Sequence, residues 1–271
     1  MLKTNMIAKE ILKLYTEGQR DFHGINLSGI DLSNTDLSGS DFSEANLRGI
    51  NLNGANLAQS KFNDALLIGA NLSSANLLDA TLLGTNLRTA NLSFANISNA
   101  DLRGANLFFA NVSSAELIGV KLFRADMSRI NLRCTNLHGA DLSDSDLSQG
   151  NLIEASFVGA SLRNADLRDT NLTDADLSNA NLQGANLTKV KLNDANLNQA
   201  NLRGASLIKA QLRNSDLRQA NLSLANLAYA NLQKANLSYA DLNDANLAGI
   251  EWQETVLTGA NFKGTICDKH F

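Results

Sequence analysis

At 271 residues the chain has the length of one large domain or two ordinary ones, but proline is absent and aromatic residues make up only 5%, unlike an average globular domain. The net charge of −4, from 23 lysines and arginines against 27 acidic residues, argues against a strongly basic nucleic-acid surface and against an extended acidic tail. Apolar stretches stay short throughout, which excludes a membrane span, and the first twenty residues lack the apolar core of a secretion signal.

The first predicted element is a helix over Thr4 to Glu17. Leu2, Met6, Ile7, Ile11, Leu14 and Tyr15 recur at helical spacing before Gly18, a residue suited to ending a helix. Residues 1–19 are therefore read as an N-terminal cap lying over whatever follows; attachment to a membrane surface is the weaker alternative.

From Phe22 to Phe262 a large apolar residue recurs every five positions without an insertion or deletion, giving 49 repeats. Forty of these central residues are Leu; the others are Phe22, Phe42, Phe62, Ile97, Val112, Met127, Phe157, Trp252 and Phe262. Two positions earlier Ala dominates, which marks a second inward site with little room. The residue just before the centre is Asn or Asp in 37 repeats and is read, with the two after the centre, as facing water. A period of five matches neither a helix nor strand alternation, so the chain must turn a corner once per repeat. Sixteen of the 18 glycines fall two residues after the centre, where a type II turn requires positive φ. Stacked in one column, Phe22, Phe42, Phe62 and Phe262 favour a coil of 20 residues, whereas Ile97, Val112 and Met127 favour 15. Residues 20–264 form the predicted solenoid. Near its end Trp252 is placed to plug the core, and in the tail, 265–271, the pattern decays with Cys267 at the central position.

The runs ANLRG, ADLSD, ANLQG and ADLND resemble the pentapeptide-repeat family, whose pattern is A(D/N)LXX, over about nine-tenths of the chain. The resemblance implies an all-β solenoid, a right-handed quadrilateral β-helix with four repeats per coil, and so decides for 20 residues. About 12 coils at ~4.8 Å would make a rod roughly 58 Å long. The opening segment through Leu12, Leu14 and Tyr15 to Ser33 also resembles cyanobacterial members of the family. Nearest-neighbour stacking would then hold the coils together, and a cap at the end would prevent edge-to-edge association.

No nucleotide-binding glycine motif or nucleophile elbow is present. His23 and His138 lie at outward positions and His270 in the tail. Cys134 and His138 are four residues apart, too few ligands for a metal site. Cys134 and Cys267 are too far apart along a solenoid for a disulfide, which suits a reducing, cytoplasmic setting. No cofactor is expected. A 20-residue coil would stack Asn51, Asn71, Asn91, Asn111, Asn131, Asn151 and Asn171 into an amide ladder. It would also stack Asp126, Asp146 and Asp166 into an acidic ladder, open to a cation or a basic partner but more readily satisfied by Arg129 and Arg168. Phe94, Phe108, Phe109 and Phe123 occupy outward positions together with Ile68, Leu78, Leu83 and Ile118, forming an apolar collar that is either an interaction patch or scattered tolerated residues. Arg88 and Arg103, next to Phe108 and Phe123 in their columns, would cover those two rings.

The expected function is a non-enzymatic rigid scaffold or protein-interaction module with an unidentified protein partner and, at most, weak self-association. The resemblance offers a second reading, a DNA-mimicking regulator of an enzyme such as gyrase. Charge argues against it: a 58 Å stretch of duplex carries about 34 negative charges, whereas acidic and basic residues here nearly cancel. Binding of nucleic acid itself is not expected either.

Overall fold

The computed structural model describes residues 2–267, with side chains from residue 7 onward. The chain forms two compact units, Met1–Asn136 and Leu137–Phe271. The inferred roles of Leu2 and Met6, and the tail beyond Cys267 with His270, lie outside the described side chains.

Helix α1 runs from Leu2–Thr16, slightly earlier than the sequence spacing suggests. It ends in a Schellman motif: the Gly18 N–H donates to Tyr15 O (3.0 Å) and the Gln19 N–H to Leu14 O (3.0 Å), with Gly18 at φ 97°. Ile11 is buried, whereas Ile7 and Leu14 stay exposed, so the helix is seated along one narrow line. The Tyr15 hydroxyl reaches Ser38 O and Oγ, both at 3.2 Å. Arg20 stacks 3.6 Å over the Tyr15 ring and donates to Tyr15 O at 2.7 Å.

In the first unit every β-bridge is parallel and joins residues 20 apart, from Asp21↔Asp41 to Glu116↔Asn136. The second unit repeats the same register from Asp141↔Ser161 to Asn246↔Ile266. Four repeats therefore complete one four-sided coil within each unit. The Phe column of the first unit stacks as the 20-residue period requires, with Phe22–Phe42 and Phe42–Phe62 centroids 5.3 and 5.4 Å apart. The central residues are buried from Phe22 to Leu247, and nearly all the Ala sites beside them are closed. Packing is tight enough that the space between Leu32, Phe42, Ile50 and Phe62 cannot hold a water molecule.

The five backbone N–H groups of one repeat explain the motif. Around Leu92 in the first unit, the Asn91 N–H donates to Ala70 O of the preceding coil (2.9 Å), while Leu92 and Phe94 donate to Asn111 O (2.7 Å) and Ser113 O (3.0 Å) of the next. The Ala95 N–H closes the turn onto Leu92 O (3.1 Å). Only the Ser93 N–H points away from both coils, and Asn91 Oδ1 accepts it at 3.2 Å. The same bond recurs from His23 to Asp21 through Lys263 to Asn261. The Asn/Asp position is therefore a half-buried backbone acceptor rather than a water-facing one, and the preference follows from the need to satisfy the one donor that coil stacking leaves over. Where Thr81 and Gln211 replace Asx, Asn63 and Asn193 reach down one coil to the Leu83 and Arg213 N–H groups (3.0 and 3.2 Å).

At the end of the second unit Trp252, Leu257 and Phe262 are only half-buried, and Trp252 meets Phe262 edge-on at 6.5 Å. Trp252 thus packs against Phe262 at the end of the described core.

Candidate functional site

The collar lies wholly within the first unit. Each corner residue from Gly24 to Gly264 has positive φ, whatever its type, so coil closure imposes this conformation even on large side chains. Phe94 (φ 60°) and Phe109 (φ 57°) are such corner residues, and they are 67% and 60% exposed. Phe108 and Phe123 sit one position earlier in their repeats and are half-buried, so the collar is two projecting rings and two recessed ones. Phe108 and Phe109 lie 6.2 Å apart, tilted by 38°. Ile118 is also exposed, whereas Ile68, Leu78 and Leu83 are half-buried.

Arg88 lies over Phe108 at 4.6 Å, as the column argument requires. Arg103 does not cover Phe123. It forks onto Asp101, with Nε to Oδ1 at 2.8 Å and an Nη to Oδ2 at 2.7 Å, because a carboxylate two residues away is a stronger attraction than a ring on the next coil. Arg124 covers Phe123 instead, at 4.8 Å.

The acidic ladder is divided. Asp126 belongs to the first unit, where its Oδ1 accepts from the Ser128 N–H (3.1 Å) and Oγ (2.7 Å). Asp146 and Asp166 are bridged neighbours in the second. Asp146 Oδ1 accepts from the Ser148 N–H at 2.8 Å, and Asp166 is gripped by the Arg168 guanidinium. Burial, the largest influence on the Asp166 carboxyl, pushes it up, but hydrogen bonds and charge from Arg168 outweigh it and the net shift is downward. The same Asp-Leu-Arg fork lowers Asp101, chiefly through the Arg103 side chain, and Asp216 through Arg218. Among the described residues no cluster of three or more His, Cys, Asp or Glu is arranged to hold a metal ion. Cys134 and Cys267 are not disulfide-bonded.

The amide ladder is built as expected through the first unit. Nδ2 of Asn71, Asn91, Asn111 and Asn131 donates to Oδ1 of the Asn one coil earlier at 3.0, 3.4, 3.1 and 2.8 Å. Asn151 and Asn171 are bridged through their backbones in the second unit.

Sequence reasoning missed Leu224, Tyr229 and Tyr239, which are 49%, 64% and 65% exposed. They belong to the same corner class as Phe94 and Phe109, and scanning that class alone for bulky residues would have found all five. Tyr229 lies across Gly249, where an added Cβ would stand 2.6 Å from the ring.

A four-sided parallel β-solenoid of five-residue repeats with a closed Leu/Phe/Ala core is the class of protein these observations define. The pentapeptide-repeat family model matches residues 21–54, 50–88, 79–107, 85–122, 110–149, 150–184, 180–223, 205–238 and 235–266, and the chain belongs to that family. Among solved structures it is similar to HetL, a pentapeptide repeat protein involved in heterocyst differentiation regulation from the cyanobacterium Nostoc sp. strain PCC 7120. That match has 33% identity over 96% of this chain and 97% of HetL, with a TM-score of 0.42. A second cyanobacterial pentapeptide repeat protein, Rfr23 from Cyanothece 51142, is 27% identical over 48% of this chain and 88% of its own, with a TM-score of 0.26. QnrB1, a plasmid-mediated fluoroquinolone resistance protein, is 17% identical over 75% and 90% of the two chains, with a TM-score of 0.27. No curated protein matches the sequence. No helix among the described residues is long and apolar enough to cross a membrane.

Proposed function

We propose that the protein is a non-enzymatic, rigid protein-interaction module whose contact surface is the Phe94, Phe108, Phe109 and Phe123 collar. The observation that carries this reading is the exposure of Phe94 and Phe109 at corner positions that elsewhere hold mostly Gly or polar residues. Exposed rings of this size in a polar surround are characteristic of surfaces that another protein covers. Between Leu32, Phe42, Ile50 and Phe62 the interior is packed to the exclusion of water, so the core there offers no cavity for chemistry, which supports the non-enzymatic reading. The right-handed, roughly twelve-coil course belongs to the same proposal, supported by family membership, and a cytoplasmic setting is proposed with it.

DNA mimicry is not favoured, because the carboxylates of Asp101, Asp166 and Asp216 are spent on arginine partners. The test uses immobilised wild-type protein and the variant Phe94→Ser/Phe108→Ser/Phe109→Ser/Phe123→Ser, with unchanged circular dichroism, each presented with a cyanobacterial lysate. A partner retained by the first and lost by the second supports the collar; equal retention overturns it.

A further inference from the structure

The collar is charged as well as apolar. Residues 82–136 carry six lysines and arginines (Arg88, Arg103, Lys121, Arg124, Arg129 and Arg133) against three acidic residues, whereas residues 21–81 carry two against seven. The acidic residues near the collar are already engaged. Asp101 is forked by Arg103, Asp126 is held by Ser128, and Glu116 accepts from Asn136 Nδ2 at 2.8 Å. Arg88 and Arg124 contact rings and have no ion pair among the described residues. A guanidinium lying on a ring keeps its N–H edge free to take a carboxylate in two parallel hydrogen bonds.

The 20-residue register fixes the order of these groups from coil to coil. The Thr89 N–H donates to Phe108 O (3.0 Å) and the Phe109 N–H to Ser128 O (3.1 Å), so Arg88 precedes Phe108 in its column and Arg129 follows Phe109 in the next. The Gly104 N–H donates to Phe123 O (3.0 Å), so Arg124 follows Gly104 at the corner before the Phe108 side of the coil, and the Phe109 ring is itself 60% exposed.

From this arrangement we infer that the Phe108–Phe109 face receives an acidic protein segment carrying an apolar anchor. The anchor packs on the exposed Phe109 ring and its flanking carboxylates meet Arg88 and Arg124. The inference rests on the reading of the collar as a contact surface and adds the chemistry of the partner. A protein segment is favoured over a nucleic acid because a longer polyanion following the columns would run onto the acidic coils between residues 21 and 81.

The test selects a random dodecapeptide display library on the immobilised full-length protein, then measures the enriched peptides by fluorescence anisotropy. Enrichment of Asp and Glu on both sides of an aromatic or aliphatic residue is expected. Affinity is expected to fall about tenfold or more both for Arg88→Glu/Arg124→Glu and for Phe109→Ser. These substitutions face outward, and circular dichroism checks that the fold is kept. Enriched peptides without net negative charge, no enrichment at all, or an unchanged affinity in the arginine variant would each overturn the inference. Loss with Phe109→Ser but not with the charge reversal removes the acidic partner while leaving the contact surface standing; loss with neither removes both. Stronger, Phe109-dependent binding of oligothymidylate, or Phe109-dependent dimerisation of the protein, would also overturn it, in favour of nucleic acid or a second copy respectively.

Discussion

A single hydrogen bond accounts for the most frequent polar residue of the repeat. The Asx side chain takes the only backbone N–H that neither neighbouring coil can reach, and in the Asn columns it also passes an amide bond to the preceding coil. Asn91→Ala removes the acceptor for the Ser93 N–H and Oγ and leaves Asn111 Nδ2 without its partner. A loss of about 1–3 kcal/mol is expected, measured by chemical denaturation, because half-buried donors are stranded. The Asp-Leu-Arg forks give a pH signature. The Asp101, Asp166 and Asp216 carboxyls are held below the ordinary aspartate value in the folded protein, so their contribution is complete above the unfolded-state pKa and is lost as pH falls through the folded one. Melting temperature should be insensitive to these pairs from about pH 5 upward and should drop below about pH 4. In Asp101→Asn/Asp166→Asn/Asp216→Asn the acid-side drop should shrink; an undiminished drop would mean that other groups control it.

The coil and the helix are the elements on which stability depends. Leu142 is fully buried, and its N–H is bonded to Ser161 O of the next coil at 2.7 Å. Leu142→Asp would place a carboxylate among Leu side chains with nothing to pair it, which is expected to unfold at least the adjoining coils of the second unit. Limited proteolysis would read this as new cleavage near residue 142, and wild-type resistance would contradict it. Seated through Ile11, Tyr15 and Arg20, the N-terminal helix is proposed to cover the open edge of the first coil. Removing residues 1–18 should therefore produce concentration-dependent association in light scattering; a monomer with an unchanged melting curve would contradict the cap.

Across the whole molecule, the solenoid was legible because the period of five is unbroken and central Leu has no alternative to burial, whereas the choice of four repeats per coil came from the family resemblance. The corner at each repeat was legible through the glycines, although the structure shows that Thr89, Phe94 and Tyr229 are forced into the same conformation. The site was harder to read. Columns placed Arg88 on Phe108 correctly, but the Arg103–Asp101 fork depends on competition between side chains, which a repeat pattern does not encode. The inward role of the Asx oxygen was equally hidden, since polarity alone suggests exposure. Both the amide ladder and the chemistry of the collar depend on one claim, that residues 20 apart are neighbours. In a Cys134→Ser/Cys267→Ser background, Ser93→Cys/Ser113→Cys joins adjacent positions of one column, within disulfide reach, whereas Ser98→Cys/Ser113→Cys joins positions 15 apart. Mild oxidation followed by peptide mapping should find the first pair bridged and the second reduced; a bridge in the second pair and none in the first would contradict the four-sided coil and everything built on it.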